Sequence, residues 1–166
     1  MAKVFELLSS LSEMEETAAR IYSKAALAVN DDSSLRELLK GLAIEELEHM
    51  RMLNGFSRSV ASFEGFEGLE LDEDAVNRTR DYLKVAEKRI DAGRLTNGNL
   101  IDCVATTESS EWNREFLKVM DWVKSRSRSS IPAVAAVQQH KRSVERFLAT
   151  RPGFERFLAG MRSLPP

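Results

Sequence analysis

Apolar residues at helical spacing run along most of this chain, and this pattern limits its folds more than any other feature. The first stretch, about residues 3–29, carries Val4, Leu7, Leu8, Leu11, Ala18, Tyr22 and Ala25. The second, ending near residue 60, carries Leu35, Leu38, Leu39, Leu42, Leu53 and Phe56. Steps of three and four place side chains on one face of a helix. The sequence therefore predicts two long amphipathic helices, separated by the cap-forming run Asn30–Ser34.

The rest of the chain divides into further helices at polar, glycine and proline residues. The predicted elements are a loop at 63–68, a short helix at 72–90, a break at 96–99, a third long helix at 100–123, a polar turn at 124–130, a fourth long helix from Pro132 to about 150, and a short C-terminal helix at 154–161. Two helical hairpins joined by a longer connection describe a four-helix bundle with one crossover. We therefore expect one all-α domain over residues 1–166, with a short helix in the crossover.

Composition excludes several classes of protein. The formal net charge of -2 gives no general attraction to nucleic acid or to anionic membranes. A single cysteine, Cys103, rules out an internal disulfide and any four-cysteine metal module. No apolar stretch approaches the roughly 20 residues that a membrane span needs. The N-terminus lacks the apolar region of a signal peptide, so a cytoplasmic location is expected.

Three polar side chains fall inside the apolar stripes of the first two helices. Glu15 is four residues after Leu11, and Glu46 is four residues after Leu42. His49 follows Glu46 by three positions, which keeps both on one helix face. Glu15 and Glu46 are almost equally far from the turn near residues 30–31, so in an antiparallel hairpin they are expected to face each other. Glu45 and Glu48 are interpreted as solvated.

The second hairpin carries a similar but less regular set. Glu108 is four residues after Val104, and His140 is three residues after Val137. His140 is closer to the predicted turn than Glu108 is. Either the turn is asymmetric, or Glu111, one turn further along, is the nearer partner of His140. The sequence leaves both readings open.

The pattern places glutamate carboxylates in the predicted core, where their charge is costly. An ionised carboxylate in a core costs several kcal/mol unless it pairs, takes up a proton or binds a cation. No Lys or Arg occupies the centre of these stripes. A bound metal ion would resolve the conflict, and mixed Glu and His ligands suit iron, manganese or zinc.

The motif Glu46-x-x-His49, paired with Glu15 on the preceding helix, resembles the half-site of ferritin-like di-iron carboxylate proteins. The residues around it narrow the resemblance to the rubrerythrin family, through the motifs Glu15-x-x-Ala18-x-x-x-Tyr22 and Ala43-x-x-Glu46-x-x-His49. This resemblance implies a ferritin-like bundle that commonly dimerises. It also implies a set of metal ligands: Glu15, Glu46, His49, Glu108, Glu111 and His140.

Two departures from the family pattern affect the expected activity. The position three residues before His140 is Val137, where the family pattern has a glutamate. One cysteine cannot hold the iron of the rubredoxin module that many rubrerythrins carry, so a built-in electron relay is not implied.

Three functional hypotheses follow. The first is a non-haem iron enzyme that binds one or two iron ions. It would oxidise Fe(II) or reduce peroxide, and O₂ or H₂O₂ would be its partner. The second is a degenerate or mononuclear metal-binding or storage bundle without catalysis, which Val137 favours. The third is a metal-free interaction module, in which the acidic positions would pair with Arg or water. Tyr22 and Cys103 are interpreted as core residues in all three.

Overall fold

The computed structural model describes residues 2–60, 72–94, 96–126 and 131–162. Within these ranges the chain is all-helical and contains no strand, as predicted. The seven helices of the described chain are α1 (Ala2–Ala28), α2 (Ser33–Val60), α3 (Glu73–Asp91), α4 (Asn97–Glu108), α5 (Glu111–Arg126), α6 (Ile131–Ala149) and α7 (Glu155–Arg162). None of them is both long and apolar enough to cross a membrane.

Among the described helices, the first two form the most extensive contact. Asp32 caps the N-terminus of α2. Its Oδ1 accepts the backbone N–H of Leu35 at 2.9 Å and the hydroxyl of Ser34 at 2.7 Å. At the other end of the hairpin, the Ser12 hydroxyl donates to Asn54 Oδ1 at 3.0 Å. The predicted hairpin and its break are therefore confirmed.

Helix α3 packs against α1 and α5. Asp72 caps it by accepting the backbone N–H groups of Asp74 and Ala75, and the helix covers nearly the range predicted for it. Its C-terminal turn closes at Gly93, whose φ of 63° favours glycine. The predicted loop at 63–68 lies outside the described residues.

The prediction of one long helix over residues 100–123 is wrong in one respect, because two helices share this range. Helix α4 ends at Glu108 and α5 begins at Glu111. The Ser109 hydroxyl donates to the Ala105 carbonyl at 2.7 Å, where it competes with the regular backbone ladder. Ser109 is the C-cap, with φ −94° and ψ 5°. Two consecutive serines thus end α4 directly after a candidate ligand.

Helix α6 packs on α2, α4, α5 and α7. Helix α5 extends further than predicted, to Arg126, and residues 127–130 of the predicted polar turn lie outside the described chain. Side chains from α1 to α6 share one hydrophobic cluster, against which Phe157 and Leu158 of α7 pack. The largest fully buried members include Tyr22, Phe116, Leu8, Leu11, Met14, Ile21, Leu35, Leu39, Leu42, Leu53, Leu83 and Met120.

Candidate metal centre

Five of the six predicted ligands are buried side chains, and they come from four helices. Glu15 lies on α1, Glu46 and His49 lie on α2, Glu108 is the last residue of α4, and His140 lies on α6. Each of these residues is at most 5% exposed. The fold therefore brings together polar groups that the sequence separates widely.

Glu46, His49 and His140 form the tightest group. Each offers one ligand atom within 4.8 Å of the others. His49 Nδ1 lies 2.9 Å from Glu46 Oε2, and His140 Nε2 lies 3.7 Å from Glu46 Oε1. The two imidazole centroids are 5.1 Å apart. Glu46 thus lies between the two histidines and turns one oxygen towards each.

Glu15 extends the group on the side of His49. Its Oε2 lies 3.7 Å from His49 Nδ1 and has no hydrogen-bond partner among the described residues. Its carboxyl group also shares a hydrogen bond with Glu46, so the two glutamates meet across the hairpin as their spacing predicts. Burial, and then the charge of Glu46, raises the pKa of Glu15 well above its usual value. Glu15 is therefore the carboxyl that retains a proton.

Glu46 behaves in the opposite way. Burial raises its pKa, but the charge of His140 and the hydrogen bonds from Glu15 and His49 outweigh burial and lower the pKa to about 2. Adjacent buried carboxyl groups commonly divide in this manner, because both cannot ionise at low cost. Glu46 is accordingly the anionic centre of the cluster.

Glu108 occupies the side of His140. Its Oε2 lies 2.7 Å from His140 Nε2, and its Oε1 accepts the Tyr22 hydroxyl at 2.9 Å. Glu108 is the last residue before the α4–α5 break, and it contacts His140 although their distances from the predicted turn differ. Tyr22 is a core aromatic with its hydroxyl bonded, as predicted.

Glu45 is the residue that sequence reasoning missed. It was interpreted as solvated, which is only partly right: its side chain is 31% exposed, but its Oε2 lies 2.8 Å from His140 Nδ1. Burial lowers the pKa of His140, but the charges of Glu108 and Glu46 outweigh burial and raise the pKa well above its usual value. Glu45 precedes Glu46 by one position and so lies off the apolar stripe of α2. The periodicity of the sequence therefore gave no sign of this contact. Glu48 is exposed, as predicted.

Two further glutamates, Glu111 and Glu115, belong to α5. Glu111 begins α5, but its side chain and that of Val137 are outside the described side chains, so the role of Glu111 stays a prediction. Glu115 is buried and accepts the backbone N–H of Asp72 at 2.9 Å and the Lys118 ammonium at 2.8 Å. Glu115 therefore anchors the start of α3 rather than forming part of the candidate metal centre.

Aromatic and sulfur side chains flank the polar cluster. The ring of Phe116, itself 1% exposed, has its centroid 4.9 Å from that of His49. Cys103 is buried, and burial raises the pKa of its thiol, which fits a core residue rather than a reactive one. The cluster is therefore enclosed on these sides by packed core.

Fold and site together define a helical protein with a buried glutamate–histidine group that can hold a metal ion. Comparison with protein-family models, with curated proteins and with solved structures gave no match. The resemblance to rubrerythrins therefore stays a prediction from the motifs.

Proposed function

We propose that this chain is an iron-binding protein that holds its metal at Glu46, His49 and His140. One observation carries the proposal: three buried side chains from two helices offer ligand atoms within 4.8 Å of one another. Two imidazoles and one carboxylate are a donor set typical of non-haem iron sites, and manganese and zinc accept similar ligands.

The spacing of these atoms fits a metal after a small closure. Ligands about 2.1 Å from a common ion lie at most about 4.2 Å apart. Neighbouring ligands of one ion lie closer, about 3–3.4 Å apart, so side-chain rotations would have to shorten the widest ligand–ligand distance by about 1–2 Å. Such a closure is within the ordinary freedom of Glu and His side chains.

The unpartnered oxygen of Glu15 supports the presence of a cation. A buried carboxyl oxygen without a hydrogen bond is costly, and a metal beside His49 would give it a partner. Binding would release the proton that Glu15 holds and the second proton of His140, because ligands must be free of protons. The chain's own residues thus supply both the negative charge and the electron-pair donor atoms that a metal ion needs.

A second candidate is a dinuclear iron enzyme in which Glu46 is shared. The oxygens of Glu46 face different histidines, with Glu15 beside His49 and Glu108 beside His140. Iron bound there would supply electrons for reducing O₂ or peroxide. Val137, where the family pattern has glutamate, favours the mononuclear site instead.

The metal-free interaction module is less well supported. It required the acidic positions to pair with Arg or water. The described ion pairs of Glu15 and Glu46 come from histidines, and the two glutamates bond to each other.

We further propose a ferritin-like four-helix bundle, made of α1, α2, the α4–α5 pair and α6, with α3 in the crossover. The contacts of α1 with α2 and α3, of α2 with α6, and of α3 with α5 support this arrangement. The homodimer implied by the family resemblance belongs to the same proposal, and sedimentation velocity would test it.

Anaerobic reconstitution tests the proposed function. The metal-free chain is loaded with Fe(II), unbound metal is removed and bound iron is counted. O₂ or H₂O₂ is then added while ferric absorption is followed. One ion per chain with slow oxidation supports the mononuclear site, and two ions with rapid oxidation support the enzyme. No bound iron contradicts both.

Variants locate the bound ion. Glu46→Ala and His49→Ala should abolish binding. Glu48→Ala removes an exposed glutamate from the same helix and should bind like the original chain. Val137→Glu adds the missing carboxylate and should strengthen binding. Equal iron content in all four variants would place the metal elsewhere.

A further inference from the structure

Glu45 reaches from α2 to α6 and contacts the side of His140 that faces away from the cluster. Its Oε2 lies 2.8 Å from His140 Nδ1, and the His140 side chain is only 4% exposed. Glu45 itself is 31% exposed, so it lies at the rim of the site. It is the chain neighbour of Glu46, which means that one turn of α2 provides both a candidate ligand and a contact to a second ligand.

The two ring nitrogens of His140 have different surroundings. Nε2 lies 2.7 Å from Glu108 Oε2 and 3.7 Å from Glu46 Oε1, within the cluster. Nδ1 faces Glu45 alone among the described contacts of the ring nitrogens. An ionised carboxylate can only accept a hydrogen bond, so Nδ1 must carry the hydrogen. Nε2 faces Glu108 at a similar distance, so in the metal-free protein both ring nitrogens carry a hydrogen. A metal ion in the cluster would displace the hydrogen on Nε2 and leave the one on Nδ1, which Glu45 accepts.

We propose that Glu45 is the positioning residue of His140, holding its ring in the Nδ1–H tautomer so that Nε2 is the metal ligand. This inference rests on the metal-binding function proposed above. Carboxylates that accept the distal N–H of a ligating histidine fix its tautomer and raise its basicity. His49 differs, because its Nδ1 is the nitrogen that faces Glu46 and Glu15. The two histidines therefore bind through different nitrogens.

A purely structural contact makes different predictions. If Glu45 only ties α2 to α6, its removal lowers the stability of the fold but leaves the metal affinity and the tautomer unchanged. If Glu45 positions His140, the affinity falls and the ring no longer holds one tautomer. Affinity and tautomer are thus the readouts that separate the two roles.

The test uses Zn(II), which is diamagnetic, and the full chain. Competition titration against a chelator gives the Zn(II) affinity of the original chain, Glu45→Ala and Glu48→Ala. Both variants lose one glutamate from α2, but only Glu45 contacts His140. We expect Glu45→Ala to bind about 10- to 100-fold more weakly and Glu48→Ala to be unchanged.

Nitrogen-15 NMR of the imidazoles gives the second readout, and only two histidines are present. In the Zn(II)-loaded original chain, one ring should bind through Nδ1 and the other through Nε2. In Glu45→Ala the Nε2-bound ring should show exchange between forms. Unchanged affinity together with unchanged spectra would overturn the positioning role.

A second variant covers the case in which Glu45→Ala fails to fold. Glu45→Gln keeps an acceptor for Nδ1–H but loses the charge, so it should retain the tautomer and bind Zn(II) more weakly than Glu48→Gln. If Glu45→Gln and Glu48→Gln bind Zn(II) with equal affinity, the positioning role of Glu45 is overturned, while the proposed metal-binding function stands. If the original chain binds no Zn(II), or if Glu46→Ala binds as tightly as the original chain, the proposed function fails and the inference fails with it.

Discussion

At the scale of single residues, Glu15 shows how this chain handles a buried carboxyl without a bound cation. Burial and the neighbouring charge of Glu46 raise its pKa, so the group keeps a proton and donates it to Glu46. This arrangement keeps one full negative charge on the pair instead of two. It still leaves one buried oxygen of Glu15 without a hydrogen-bond partner among the described residues. The residue therefore costs stability that a metal ion would recover.

Glu15→Gln should stabilise the metal-free protein, since glutamine resembles the protonated acid and needs no proton. We expect the free energy of unfolding at pH 7 to rise, because glutamine removes the cost of protonating a carboxyl group whose ordinary pKa lies far below 7. Urea unfolding in the presence of a chelator measures this. Glu16→Gln, at the exposed neighbouring position, is the control and should change little. A loss of stability in Glu15→Gln would contradict this account of the pair.

At the scale of elements, two kinds of contact hold α3 against α1. Arg20 Nε lies 2.7 Å from Glu87 Oε1, and Lys24 Nζ lies 2.7 Å from Asp91 Oδ1, but these groups are partly exposed. Leu83 of α3, in contrast, is 1% exposed in the shared core. Exposed ion pairs contribute roughly 0–1 kcal/mol, while a buried leucine contributes several times more. Burial is therefore what holds α3 in place.

Leu83→Ala should lower the free energy of unfolding by about 2–5 kcal/mol, because it leaves a cavity in the core. Glu87→Gln, which removes both ion pairs of that carboxylate, should cost less than about 1 kcal/mol. Urea unfolding of both variants checks the ranking. A larger loss in Glu87→Gln than in Leu83→Ala would show that the ion pairs dominate.

The sequence predicted most elements because their signals are local. Asp72 caps α3 through its own backbone neighbours, and the α1–α2 break follows from the cap at Asp32. The break between α4 and α5 was missed, since Ser109 and Ser110 interrupt an apolar stripe whose phase continues on both sides. The contact of Glu45 with His140 was also missed, because it depends on how α2 and α6 pack rather than on spacing within either helix.

At the scale of the whole molecule, the site makes stability depend on pH. Folding raises the pKa values of Glu15 and His140 and lowers that of Glu46. Groups with raised values bind more protons in the folded state, so they contribute stability that is lost as pH rises. The contribution of Glu46 is complete once pH exceeds its unfolded value near 4.5. Above about pH 5 the two raised groups decide the slope.

The free energy of unfolding of the metal-free protein should therefore fall as pH rises from 5 to 8. His140 contributes fully below its unfolded pKa near 6.5, and its contribution declines as pH rises towards its folded value. Metal binding reverses the trend, because it needs these groups free of protons. Thermal unfolding with Zn(II) or with a chelator should thus show a gap that widens with pH. A gap that narrows would contradict the assignment.

The α1–α2 hairpin has a consequence for how the site is assembled during synthesis. Glu15, Glu46 and His49 all belong to it, and its two helices follow one another in the chain. N-terminal segments fold first as a chain leaves the ribosome. Three of the polar groups would then meet while His140 is still unsynthesised. The α1–α2 hairpin would then present an open acidic face until α6 folds against it. Glu45 would already be in place to contact His140.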